Sequence, residues 1–176
     1  MSSEIEHLSE FAIGFLKKLI ETPSLSKEEN QTLELFKELF IEKNTHFETI
    51  KNNIWAKNKH FDASKPTILL NSHHDTVKPN ASYKRNPFEA EIIDAKLYGL
   101  GSNDAGGPLV SLLATFLYFY ENSELAYNLI FAASAEEEIS GKDGIELLIK
   151  SLPKIDLAIV GEPTLMEMAV AEKGLM

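Results

Sequence analysis

Four places in the chain put acid or imidazole side chains directly after an apolar run or a glycine-rich loop. They are His73-His74-Asp75, Asp104, Glu136-Glu137-Glu138 and Glu162. Three consecutive glutamates repel one another and raise each other's pKa unless cations balance them. If Asp75, Asp104 and Glu162 share the same edge, a bound pair of divalent ions is the simplest compensation. The chain has no cysteine, so a metal would be held by His, Asp and Glu, a donor set that suits zinc, cobalt or manganese better than copper or an iron–sulfur cluster. In His73-x-Asp75 alternate residues of an extended segment share a face, so one can bind metal while the other orients a neighbour. Glu137 and Glu138 leave in opposite directions, so one can ligate while the other acts as a general base toward water. His74 faces away from His73, which implies a structural or pocket-lining role. His7, His46 and His60 fall in segments expected at the surface.

These groups need a scaffold that brings them together. Residues 5–21 space Ile5, Leu8, Phe11, Phe15 or Leu16, and Leu19 or Ile20 as one apolar helical stripe. Thr22-Pro23-Ser24 ends it, and Ser26 with Glu29 matches a capping box ahead of a second stripe, Leu33, Phe36, Leu39 and Phe40, running to about Lys43. Segments 46–50 and 54–57 predict an edge hairpin. Strand and helix then alternate: strands at 66–71, 127–134 and 157–161, helices at 105–120 and 141–152. LIFAA and LAIV are apolar throughout, as in strands covered on both faces, and 109–119 predicts a deeply buried helix. The fold class expected is a three-layer α/β sandwich with a mostly parallel mixed sheet covered by helices. In such sheets ligands sit beyond the carboxyl ends of the strands, where three of the four clusters fall. Taken singly, each cluster has an ordinary structural explanation: a loop His-x-Asp, a solvated helix start, a turn residue before Pro163, a helix cap. Their coincidence at one sheet edge favours a metal site.

At 176 residues the chain could bury roughly 70% of its unfolded surface as one domain. Its 44% hydrophobic and 25% charged residues are average for a globular protein. The formal charge of −10 disfavours nucleic acid and anionic lipid as partners. The amino terminus lacks a signal peptide's basic flank and apolar stretch, and no window reaches the ~20 apolar residues of a membrane span. A cytoplasmic location is therefore expected.

The stretches SHHDTVKP, Asn86-Pro87-Phe88, LYGLGSNDAGG, SAEEEISG, VGEPT and AEKG resemble the dinuclear zinc amidohydrolases, the family of acetylornithine deacetylase, succinyl-diaminopimelate desuccinylase, aminoacylase and glutamate carboxypeptidase. Members typically read GHxDVVP, GRGxxDMKGG, a DEE triplet and GEPT at these places. The resemblance implies that His73 and Glu162 bind one zinc, Asp104 bridges both ions and Glu138 binds the second. It implies Glu137 as the general base and Asp75 as the residue orienting His73 through its other ring nitrogen. Two Zn2+ are implied, with Co2+ or Mn2+ as substitutes, and the reaction is hydrolysis of an amide bond. Glu136 stands where the family has Asp, His74 where a smaller residue is common, and Ser140 where glycine often follows.

The family also supplies a late histidine to the second zinc, and no residue after Glu162 can fill that place. The resemblance thus places residues 1–170 in the amino-terminal part of a catalytic domain. It makes 171–176 the start of a segment leading to a lid and dimerisation domain, implies a homodimer for the full-length protein, and predicts little turnover for this stretch alone. The wording is nearest acetylornithine deacetylase, which implies an N-acylated amino acid such as N-acetylornithine, N-acetylcitrulline or N-succinylornithine, in arginine biosynthesis. Alternatives are a dipeptidase, carboxypeptidase or desuccinylase of the same family, or a non-catalytic metal-binding relative. Against the last stand Glu137 and Asp75, which a purely structural site does not need. Phosphate binding by GLGSNDAGG is disfavoured because it lacks GxGxxG and puts an aspartate at the helix start.

Overall fold

The computed structural model describes residues 3–165, 167 and 168; the AEKG motif and the segment 171–176 lie outside the described residues. Eleven elements follow one another: α1 (Ser3–Glu21), α2 (Asn30–Glu42), β1 (Phe47–Ile50), β2 (Asn53–Lys57), β3 (Thr67–His73), β4 (Glu91–Ile93), β5 (Lys96–Tyr98), α3 (Gly107–Phe119), β6 (Asn128–Ser134), α4 (Ile145–Leu148) and β7 (Leu157–Val160). The main sheet has the order β1-β2-β6-β3-β7, with β6, β3 and β7 parallel and β1 and β2 antiparallel. The expected α/β sandwich with a mixed, mostly parallel sheet flanked by helices is the fold observed.

Side-chain alternation divides the core. Leu70, Leu129, Phe131, Ile54 and Ala56 point to the face covered by α1, α2 and α3, whereas Leu69, Ile130, Ala132 and Trp55 meet Leu148 of α4 on the other. On the first face Phe131 of β6 is the hub, with ring centroids of Phe36, Phe40 and Phe116 within 6.0–6.1 Å. Such pairs contribute about 0.5–1.5 kcal/mol each beyond their buried area.

Parallel register places the site. His73 at the end of β3 lies opposite Ser134 at the end of β6, and Val160 at the end of β7 lies opposite Asn71. The chain leaving each strand therefore emerges at one edge of the sheet, carrying Asp75, Glu136–Glu138 and Glu162. Gly161 is needed there because a Cβ would sit 2.9 Å from Leu112 Cδ1 and 3.0 Å from Pro108 Cβ of α3.

Several expectations are corrected. The helix expected over 141–152 is a single turn, Ile145–Leu148. Before it the backbone passes so close to the end of β6 that a Cβ on Gly144 would lie 2.2 Å from the Ala135 carbonyl. α3 is preceded by a π-helical turn, Ser102–Gly106, and is not buried all round: Ser111, Thr115 and Tyr118 face solvent. The two hydroxyls donate to carbonyls one turn back, which lets polar residues share an apolar helix. β7 is exposed at all four residues despite its apolar sequence, and among the described residues it is an outer strand of the sheet. The hairpin predicted near residue 50 forms, with β1 outermost and β2 interior and buried. A second hairpin, β4–β5, was not foreseen; its turn uses Asp94 and Ala95 at positive φ (49° and 59°) in place of the usual Asn-Gly.

Candidate metal centre

His73 is 1% exposed and closes β3. Its Nδ1–H donates to the main-chain carbonyl of Asp75 at 3.0 Å, with Asp75 Oδ1 at 3.4 Å. Nε2 is thereby aimed at the acids: Asp104 Oδ1 at 3.2 Å, Glu137 Oε2 at 3.8 Å and Glu162 Oε2 at 4.0 Å. Glu138 joins them, since one ligand atom each of His73, Asp104 and Glu138 lies within 4.8 Å of the others. The six residues singled out from the sequence thus meet at one sheet edge.

Asp104 reaches the cluster from the glycine-rich loop before α3. That loop closes on itself through Gly106 N–H donating to the Gly101 carbonyl at 2.8 Å, and a Cβ on Gly106 would lie 2.4 Å from that oxygen. Gly101 has φ +73°, which a residue with a Cβ adopts reluctantly.

The three glutamates are arranged differently from a solvated helix start. Glu136 is buried with φ 56°, and Glu137–Ile139 form a short 3-10 turn. The backbone N–H groups of Glu137 and Glu138 donate to Asp75 Oδ1 and Oδ2 at 3.0 and 3.2 Å, and the Ser26 hydroxyl donates to Oδ2 at 2.7 Å. Asp75 therefore holds the acidic turn as well as His73. Ser26 does not cap α2; the capping box predicted from Ser26 and Glu29 is absent, both side chains being turned to the site loops.

The charges are unbalanced. Burial lowers the His73 pKa, but the hydrogen bond and charge of Asp75, with the carboxylates of Glu162 and Glu137, push it up to about 9. Glu162 is raised to about 6, first by burial and then by Glu137, Asp104 and Glu138, against the favourable charge of His73. Glu138 is raised by burial and by Asp104. Burial also opposes ionisation of Asp75, yet its hydrogen bonds from His73, Ser26 and the Glu137 amide hold it below the usual range. One imidazolium among four facing carboxylates is a donor set that divalent cations would neutralise, so the residues present fit a metal.

His74 points away from this cluster. Its Nε2–H donates to the Asn52 carbonyl at 2.9 Å, its Nδ1 lies 2.9 Å from the Thr32 hydroxyl, and Phe36 packs edge-on at 5.7 Å. Burial depresses its pKa. His7, His46 and His60 are exposed, as expected. The residues that sequence reasoning missed are Glu29, Asn52 and Thr32, which support the site loops from behind.

Fold and site together define an α/β domain of the metallopeptidase type. Residues 69–173 match the model for peptidase family M20/M25/M40, and the chain belongs to that family. It is 31% identical over 162 residues to succinyl-diaminopimelate desuccinylase of Rickettsia bellii, covering 85% of this chain and 41% of that protein. The chain thus spans about two fifths of the length of that curated relative. Among solved structures, the dipeptidase Dug1p from Saccharomyces cerevisiae superposes with a TM-score of 0.71 at 22% identity, over 91% of this chain and 40% of its own. YXEP of Bacillus subtilis, a dinuclear metal-binding peptidase of the M20 family, gives 0.65 at 17%, over 88% and 43%. Among the described residues no helix is long and apolar enough to cross a membrane.

Proposed function

We propose that the chain carries the metal-binding and proton-transfer residues of a metal-dependent amide hydrolase acting on an N-acylated amino acid. The observation that carries this reading is the convergence of His73, Asp104, Glu137, Glu138 and Glu162 on one sheet edge, with His73 Nε2 within 4.0 Å of three of the acids. His73 and Glu162 would hold one Zn2+, Glu138 the second, with Asp104 between them; Co2+ or Mn2+ would be accepted by the same donors. Bound ions supply Lewis-acid polarisation of the scissile carbonyl and make water a nucleophile near neutral pH. Glu137 takes the proton of the attacking water and returns it to the leaving amine as the C–N bond breaks. Its exposed carboxylate can do so because Asp75 fixes its backbone rather than its side chain. Asp75 also keeps the proton of His73 on Nδ1, leaving Nε2 for the ion.

Two substrates divide the finer reading. The motif wording favours N-acetylornithine, and so arginine biosynthesis, whereas the name of the Rickettsia relative favours N-succinyl-diaminopimelate. The test uses the intact protein, stripped of metal and reloaded with zinc, against both compounds and a dipeptide, with amine release followed for wild type and Glu137→Gln. The expected result is hydrolysis of one N-acyl amino acid, lowered by about 10^2–10^4-fold in the variant with zinc retained. Normal turnover by Glu137→Gln would remove the base assignment. Zinc-independent turnover would remove the metal reading.

A further inference from the structure

Glu29 is a carboxylate with 0% exposure, and among the described residues it has no cationic partner. It accepts instead from three loops. Oε1 takes the Lys27 N–H at 2.7 Å and the Glu136 N–H at 3.2 Å, and Oε2 takes the Asn52 side-chain amide at 2.7 Å. Each loop contains a non-glycine residue with left-handed backbone: Lys27 (φ 75°), Lys51 (φ 53°) and Glu136 (φ 56°). That conformation is unfavourable for a residue with a Cβ and persists only where the surroundings enforce it.

Glu136 to Glu138 show why this matters. Three consecutive N–H groups end on two buried carboxylates: Glu136 on Glu29, Glu137 and Glu138 on Asp75. Asp75 also pairs with His73, whereas the hydrogen bonds of the Glu29 side chain among the described residues go to Lys27, Asn52 and Glu136 and to none of the site's side chains. We propose that Glu29 is a positioning residue for the reaction: by holding the Glu136 amide it sets the left-handed entry to the turn from which Glu137 and Glu138 reach the cluster around His73. The link to catalysis rests on the function proposed above, whereas the link to the turn does not.

Substitution by Gln keeps one acceptor for the two backbone N–H groups. Its own amide can meet Asn52 once that side chain flips to present Oδ1. Substitution by Asp keeps the charge but withdraws it by one methylene, and Ala leaves all three donors without a partner.

The experiment uses the intact protein in wild-type, Glu29→Gln, Glu29→Asp and Glu29→Ala forms, with Leu39→Ala in the core of α2 as a control for lost stability. Backbone hydrogen exchange of the metal-free proteins, cobalt affinity read from visible absorption, and kcat and KM after zinc loading are measured. Glu29→Ala is expected to accelerate exchange selectively at residues 136–138. It should lower cobalt affinity and kcat by about 10- to 100-fold, the usual scale for residues behind a metal ligand, with KM little changed. Glu29→Gln should recover most of both, and Leu39→Ala should melt earlier without either. If Glu29→Ala does not fold, Glu29→Asp serves, with faster exchange at Glu136 expected. The proposal is overturned if the folded variant lowers thermal stability like Leu39→Ala while exchange at 136–138 and cobalt affinity stay at wild-type values. A wild type that hydrolyses no N-acyl amino acid but shows the exchange effect removes the proposed function and leaves the positioning role standing.

Discussion

His73 and His74 are neighbours in the chain, 1% and 5% exposed, and they face opposite environments. His73 looks into the acids, which hold it protonated to about 9 against the pull of burial. His74 looks into the layer behind the site, where burial outweighs the Asn52 hydrogen bond and the charges of Glu29 and Asp75, and keeps it neutral. The one-residue alternation at the end of β3 therefore separates two functions. One imidazole is left with a nitrogen free for an ion, and the other ties β3 to α2 through Thr32 and to the β1–β2 turn through Asn52.

The largest effect should come from His73→Ala. Excess zinc stabilises the protein that binds it, by about 2.7 kcal/mol at a hundredfold excess over Kd. Melting curves with chelator and with zinc should show that increment in wild type, lose most of it in His73→Ala, and retain it in His74→Asn. Equal increments in both variants would erase the distinction between the two residues. Next comes Asp75→Asn, because Asp75 is what makes His73 unlike its neighbour. Turnover and zinc affinity should fall by about 10- to 100-fold, and an NMR titration of metal-free protein should show the His73 pKa moving from about 9 toward 6.5. An unmoved His73 would mean that Glu162 and Glu137 alone set its charge. His74→Asn should act on stability: its loss leaves the Asn52 carbonyl without its donor, at about 1–3 kcal/mol for a buried group unsatisfied, while the Thr32 hydroxyl keeps the Glu29 carbonyl at 3.0 Å as a partner. Urea denaturation in chelator would measure it.

What could be foreseen from the residues follows the same division. His73, Glu137, Glu138 and Glu162 were legible because charged types are rare directly after apolar strands, and parallel strands must bring their ends to one edge; Asp104 was legible because it follows a glycine-rich loop at the start of an apolar helix. Glu29 was not legible, since Ser26-x-x-Glu29 is spelled as a capping box whether the side chains turn to their own helix or to a turn 107 residues away. The exposure of β7 was hidden for a related reason. LAIV and LIFAA have the same pattern, yet among the described residues one lies at the edge of the sheet and the other inside it, which the pattern alone does not distinguish. The β4–β5 hairpin escaped because Asp94-Ala95 lacks the glycine that marks such turns.

The smallest effect and the sharpest form of the comparison lie in pH dependence without metal. His73 has a folded pKa raised from 6.5 to about 9, so its stabilisation is fully present below 6.5 and is lost as pH rises through about 9. His74 has a folded pKa lowered from 6.5, so its contribution is present above 6.5 and is lost as pH falls below that value. Each group alone can tilt stability by no more than about 1.4 kcal/mol per pH unit. Glu162, raised from 4.5 to about 6, loses stability in the same direction as His73 but in that lower window, which leaves the range above pH 7 to His73. Urea midpoints measured in chelator should therefore decline toward pH 9 in wild type and His74→Gln but not in His73→Gln. Below pH 6.5, the difference between wild type and His74→Gln should shrink as the pH falls, because only wild type has a buried imidazole that resists its proton. A decline toward pH 9 that survives in His73→Gln would show that other groups carry the alkaline limb. The two histidines would then differ in what they touch but not in how they titrate.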